Sequence, residues 1–83
     1  MTATLIDIKG WLEKAQKEKA THLIVAVDRY DFDNYPVYIL PDKNIEEEMN
    51  RITNQSLQGI DEVYNMSMNI DEQLKERRAF HPD

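Results

Sequence analysis

A chain of 83 residues with 16 acidic and 10 basic side chains, hence a net charge of −6, has room for one small domain and no more. A hydrophobic content of 41%, with six Tyr and Phe rings besides Trp11, supplies a packed core and excludes wholesale disorder. The absence of cysteine excludes a disulfide frame and a thiolate zinc site.

The first helix is expected over Leu5–Lys19. Thr4 is a good N-cap, and Asp7 three residues on completes a capping box. Leu5, Ile8, Leu12 and Ala15 fall on one face with Trp11 beside them, while Glu13 and Lys17 pair on the wet side. Gly10 interrupts this pattern at a cost of about 1 kcal/mol against alanine. It either admits a close neighbour or is slack. The first strand is HLIVAVD, residues 22–28, whose five consecutive apolar residues predict burial on both faces and a central place in a sheet. The second strand is PVYIL, 36–40, with Pro36 at its start, where a missing N–H is tolerated. Residues 29–35 between them are too many for a two-residue turn and predict an open hairpin loop.

The second helix starts after Asn44, an N-cap answered by Glu47, and fades near residues 53–55. Ile45, Met49 and Ile52 mark its buried side, and Glu46, Glu47 and Glu48 suit the positive end of its dipole. Tyr64, Met66, Met68 and Ile70 then alternate with Asn65, Ser67 and Asn69, which predicts a half-buried third strand over 64–70. Asn69 with Glu72 opens a short third helix through about Ala79. The order is α-β-β-α-β-α. The crossover through the second helix sets strand 3 parallel to strand 2. With the doubly buried strand between them, the expectation is one α+β domain over 1–83, sheet order 2-1-3, helices on at least one face.

Several chemistries find no residues to carry them. The only serines are Ser56 and Ser67, neither in a Gly-flanked turn, and the lone glycines Gly10 and Gly59 make no phosphate cradle. DFDN opens like a calcium loop, but Pro36 stands at its sixth position and Asp42 at its twelfth. His22 and His81 are the only imidazoles. No enzyme and no cofactor are therefore expected. Residues 1–20 carry +1, and the segments 21–40, 41–60 and 61–83 carry −2, −2 and −3, so no part can track a phosphate backbone. The acids are also too few and too well offset for a nucleic-acid mimic. No basic region precedes a long apolar run at the start, so no signal peptide is expected. The longest apolar run is LIVAV, against the ~20 residues of a membrane span, so no membrane partner is expected. A chain this short buries only about 60–65% of its unfolded surface, which predicts a homo-oligomer.

One stretch stands out. VDRYDFDNYPVYIL, residues 27–40, interleaves Asp28, Asp31 and Asp33 with Tyr30, Phe32, Tyr35 and Tyr38. Turn chemistry accounts for the Asp and Asn residues, but not for the rings between them. Two readings stand: the rings fold back as a lid on a small core, or Asp28, Tyr30, Asp31, Phe32, Asp33, Asn34 and Tyr35 form a partner-binding surface. A second constellation, RRAFH, is either a helix end whose Arg77 and Arg78 complement the dipole or an anion contact.

ATHLIVAVDRYDFDNYPVYIL (20–40) with EVYNMSMNIDEQLKERRAFH (62–81) resembles a family of short, uncharacterised proteins of bacteriophages, prophages and some bacteria. The shared words are a Thr-His before an apolar strand, an Asp-rich turn before Tyr-Pro-Val-Tyr, and a Gln-Leu…Arg-Ala-Phe ending. The resemblance implies an accessory phage product in the cytoplasm of a bacterial host, binding a host protein as an inhibitor or counter-defence factor. The alternative is an oligomeric binder of a small phosphorylated ligand such as a nucleotide. There Arg77, Arg78 and His81 would contact phosphate, and Tyr35 or Tyr38 would stack on a base.

Overall fold

A run of five apolar residues has one stable place in a small domain, the middle of a sheet covered on both sides, and residues 23–27 occupy it. The computed structural model describes residues 2–83. Its elements are α1 (Leu5–Lys17), β1 (His22–Asp28), β2 (Asp33–Ile39), α2 (Ile45–Thr53), β3 (Gln58–Asn65) and α3 (Ile70–Leu74). The sheet order is β2-β1-β3, and β1 is antiparallel to both neighbours, so β2 and β3 run the same way. The fold is α+β. Leu23 and Val25 face a layer formed by Ile8, Leu12 and Ala15 of α1, with Ile70 and Leu74 of α3 beside them. Ile24 and Ala26 face the other way and pack with Ile39, Val63 and Ile52 of α2. Helices thus cover both faces. Among the described residues, no helix is long and apolar enough to cross a membrane.

Caps fix the helices where the sequence placed them. The Thr4 hydroxyl accepts from the Asp7 N–H at 3.2 Å, and the Asp7 carboxylate accepts from the Thr4 N–H at 3.0 Å. Asn44 and Asn69 cap α2 and α3 through the N–H groups of Glu47 and Glu72. α1 stops two residues short of the expected Lys19, because Lys19 turns to a left-handed φ of 59° and Ala20 bonds back to the Ala15 carbonyl. Leu5, expected on the buried face, is 54% exposed, and the core side of α1 begins at Ile8.

Three elements correct the sequence reading. β3 occupies 58–65 rather than 64–70. Its register against β1 shifts between Val25 and Ala26, where Asp61 is the extra residue, so period two is broken within the true strand. The alternating Met66–Asn69 segment is instead a turn, held by Asn65 Oδ1 accepting from the Ser67 N–H at 2.9 Å. α3 ends at Leu74 rather than Ala79, because residues 79–81 are drawn out beside β3. There Val63 N–H donates to the Ala79 carbonyl and His81 N–H to the Val63 carbonyl, both at 2.9 Å. Finally, β2 begins at Asp33, three residues before Pro36, leaving only 29–32 as loop. Pro36 sits mid-strand opposite Val25, which an edge strand tolerates.

Candidate functional site

The hairpin tip is built by pairing and by Asx turns. Asp28 and Asp33 close the ladder opposite each other. Asp28 Oδ1 accepts from the Tyr30 N–H at 3.0 Å and Asp31 Oδ1 from the Asp33 N–H at 3.2 Å. These bonds shape the four-residue loop and leave its rings largely in solvent. Tyr30 is accordingly 82% exposed and Phe32 66%. Neither ring lids the core. Phe32 also has a φ of 60°, a left-handed conformation that costs a non-glycine residue roughly 1–2 kcal/mol.

The structure divides the expected partner-binding set. Asp28, Tyr30, Asp31 and Phe32 lie at the tip, and Asp33 opens β2 on an exposed position. Asn34 does not project. Its Oδ1 accepts from the Ala3 N–H at 2.8 Å, and its Nδ2 donates to the Ala26 carbonyl at 3.1 Å and to Asp61 Oδ2 at 2.8 Å. It staples the segment leading into α1 onto the sheet. Tyr35 is half-buried against the α2 side of the core, and its hydroxyl donates to Gln58 Oε1.

Residues distant in sequence complete the same end of the molecule. Arg29 N–H donates to the Leu57 carbonyl at 2.7 Å, which ties the hairpin tip to the turn before β3. Leu57 is 54% exposed and, like Phe32, has a left-handed φ, 63°. The Arg29 guanidinium lies against Gly59, where a Cβ would fall 2.6 Å from Nη2. Through Ala3 and Asn34 the start of α1 arrives at this end too, with Ile6 82% exposed. The sequence signal for Ile6 was an isoleucine off the helix stripe, and for Leu57 a single apolar residue inside a polar turn. Neither was singled out in the sequence reading.

The phosphorylated-ligand reading is divided: Arg77, Arg78 and His81 lie close together around Glu76, and Tyr35 and Tyr38 lie apart from them on β2. Tyr38 is on β2, at one margin of the sheet, with Lys14 Nζ 5.4 Å from its ring centroid. Burial, and after it the Glu18 charge, raise its phenol above the ordinary value of 10.0. Arg77, Arg78 and His81 lie beyond β3, at the opposite margin, and His81 Nε2 is 2.5 Å from Glu76 Oε2. Arg77 and Arg78 are exposed in the turn after α3. A depression of about 350 Å³ at the far end of the sheet is lined by Thr21, His22, Asn65 and Ser67. Its polar groups already serve each other: His22 bonds to Thr21 and to the Asp83 carbonyl, and the Ser67 hydroxyl donates to Asn65. Among the described residues, no buried side-chain polar atom lacks a partner, and no three His, Asp or Glu side chains gather as a metal cluster would.

The chain matches no known family model, no curated protein and no solved structure.

Proposed function

We propose that the chain is a non-catalytic binding protein of the small accessory kind encoded by bacteriophages, and that it occupies a protein in the cytoplasm of a bacterial host as an inhibitor or counter-defence factor. Its contact surface is the end carrying Tyr30 and Phe32. The phage and host parts of this reading rest on the sequence resemblance. The binding part is carried by one observation: Phe32 stays in solvent on a strained backbone where glycine or asparagine would sit more easily. Strain of that kind collects at contact sites, where it fixes a side chain in a working direction. Aromatic rings on a rigid hairpin also bring contact area at little entropic cost. The non-catalytic part is supported by the tip carboxylates, since Asp28 and Asp31 each engage a backbone N–H and no acid, base and electrophile meet around them.

The test is the double variant Tyr30→Ala, Phe32→Ala, compared with the wild type for thermal unfolding and for capture of a protein from a bacterial lysate. Unfolding within about 4 °C of wild type, equivalent to less than about 1 kcal/mol, together with loss of capture is expected. Capture of the same protein by the variant at undiminished yield overturns the reading.

A further inference from the structure

Three features of the tip, read together and resting on the host-protein reading just given, identify the kind of surface that fits it. The first is shape. Residues 29–32 form a convex hairpin loop, with Leu57 tied to it through the Arg29 N–H. A knob of this kind is received by a hollow. The second is apolar area. Tyr30, Phe32 and Leu57, with Leu5 and Ile6 at the same end, are each more than half exposed, and large apolar side chains gathered at one end of a small domain mark an interaction surface. The third is charge. Asp28 and Asp31 flank the exposed rings of the hairpin tip. Asp28 and Asp31 each give one oxygen to a local N–H and keep the other for an outside donor. The one cation of the loop, Arg29, is folded back against Gly59. A second copy docked tip to tip would set carboxylates against carboxylates around the apolar centre, so the charge pattern works against that self-contact.

We infer that the occupant is a folded host protein presenting an apolar pocket bordered by Arg and Lys side chains. The rings and Leu57 enter the pocket, and the tip carboxylates meet the basic border. Desolvation of the rings gives the complex its lifetime, and the opposite charges set its rate of formation and its register.

Three variants with a photo-reactive side chain test this: Phe32→benzoylphenylalanine, Leu57→benzoylphenylalanine, and Met68→benzoylphenylalanine at the opposite end. Each is irradiated in a bacterial lysate, and the joined segments are sequenced. Positions 32 and 57 are expected to join one host protein at an apolar segment with Lys and Arg close by, while position 68 does not. The yield is expected to fall roughly tenfold between about 50 and 500 mM salt. A product joining two copies of this chain overturns the inference in favour of a self-interface. A joined segment that is acidic, or a yield indifferent to salt, overturns the basic border. Joining from position 68 but not from 32 or 57 overturns the surface while leaving the host-protein reading intact. No joined protein at any position overturns both.

Discussion

Phe32 and Leu57 sit at φ values of 60° and 63°, and Gly10, the residue best suited to such angles, sits in a helix where its freedom is a loss. A Cβ on Gly10 would meet nothing within 4 Å, so no neighbour requires the gap. Gly10→Ala is therefore expected to stabilise the protein by about 0.5–1 kcal/mol, read as a rise of several degrees in thermal unfolding. Tyr64 carries a different consequence. Burial holds its phenol above the ordinary value of 10.0, and the hydrogen bond it donates to Glu62 at 2.9 Å, with the charges of Glu62 and Glu76, pushes it further the same way. The fold prefers the protonated form. The stabilisation is therefore complete below pH 10.0 and is lost as pH rises above it. Urea titrations from about pH 8 to 11 are expected to show a shallower alkaline decline in Tyr64→Phe than in the wild type.

Gln73 shows how an element ends without a partner strand. Its buried amide does for Asn65 what a neighbouring backbone would do: Oε1 accepts from the Asn65 N–H at 2.8 Å and Nε2 donates to the Asn65 carbonyl at 2.9 Å. The next outward-facing residue of β3, Val63, is served by Ala79 and His81. Gln73→Leu keeps most of the volume and strands both Asn65 groups in the interior. A loss of about 2–4 kcal/mol in urea unfolding is expected, with faster exchange of the Asn65 amide. The same element marks the limit of what the sequence discloses. β1 was legible because a continuous apolar run has few alternatives, and the helix starts were legible because Thr4, Asn44 and Asn69 act on groups three residues away. The sheet order followed from β1 alone. β3 was not legible, because the bulge at Asp61 erases its alternation while Met66 and Met68 imitate one inside a turn. Of the candidate site, Tyr30 and Phe32 were readable as rings that turn chemistry does not explain, but whether they lid the core or face solvent was not, since that depends on where the loop lies in the folded molecule. Leu57 was not, since its backbone angle and its bond to Arg29 arise only in the folded molecule.

At the scale of the whole molecule, the sheet is finished differently at its two margins. The β3 side is closed by Gln73 and residues 79–81, whereas among the described residues β2 has no strand beyond it. Pro36 interrupts the donors of that open edge and so discourages strand addition by another chain. The self-association expected of so small a domain has no ready route through this edge. Pro36→Val restores a donor and is expected to raise association with concentration, measured by sedimentation, while wild type changes less.

The tip gathers residues from three separate places: the start of α1, the loop at 29–32 and the turn at Leu57. Each segment alone offers one or two greasy side chains and no defined hollow-filling shape. On the proposed reading, binding through the tip should vanish in step with global unfolding rather than ahead of it, and a nicked or truncated fragment should be silent. If the tip is the contact surface proposed above, unfolded or partial chains would leave its partner untouched, and only folded copies would engage it.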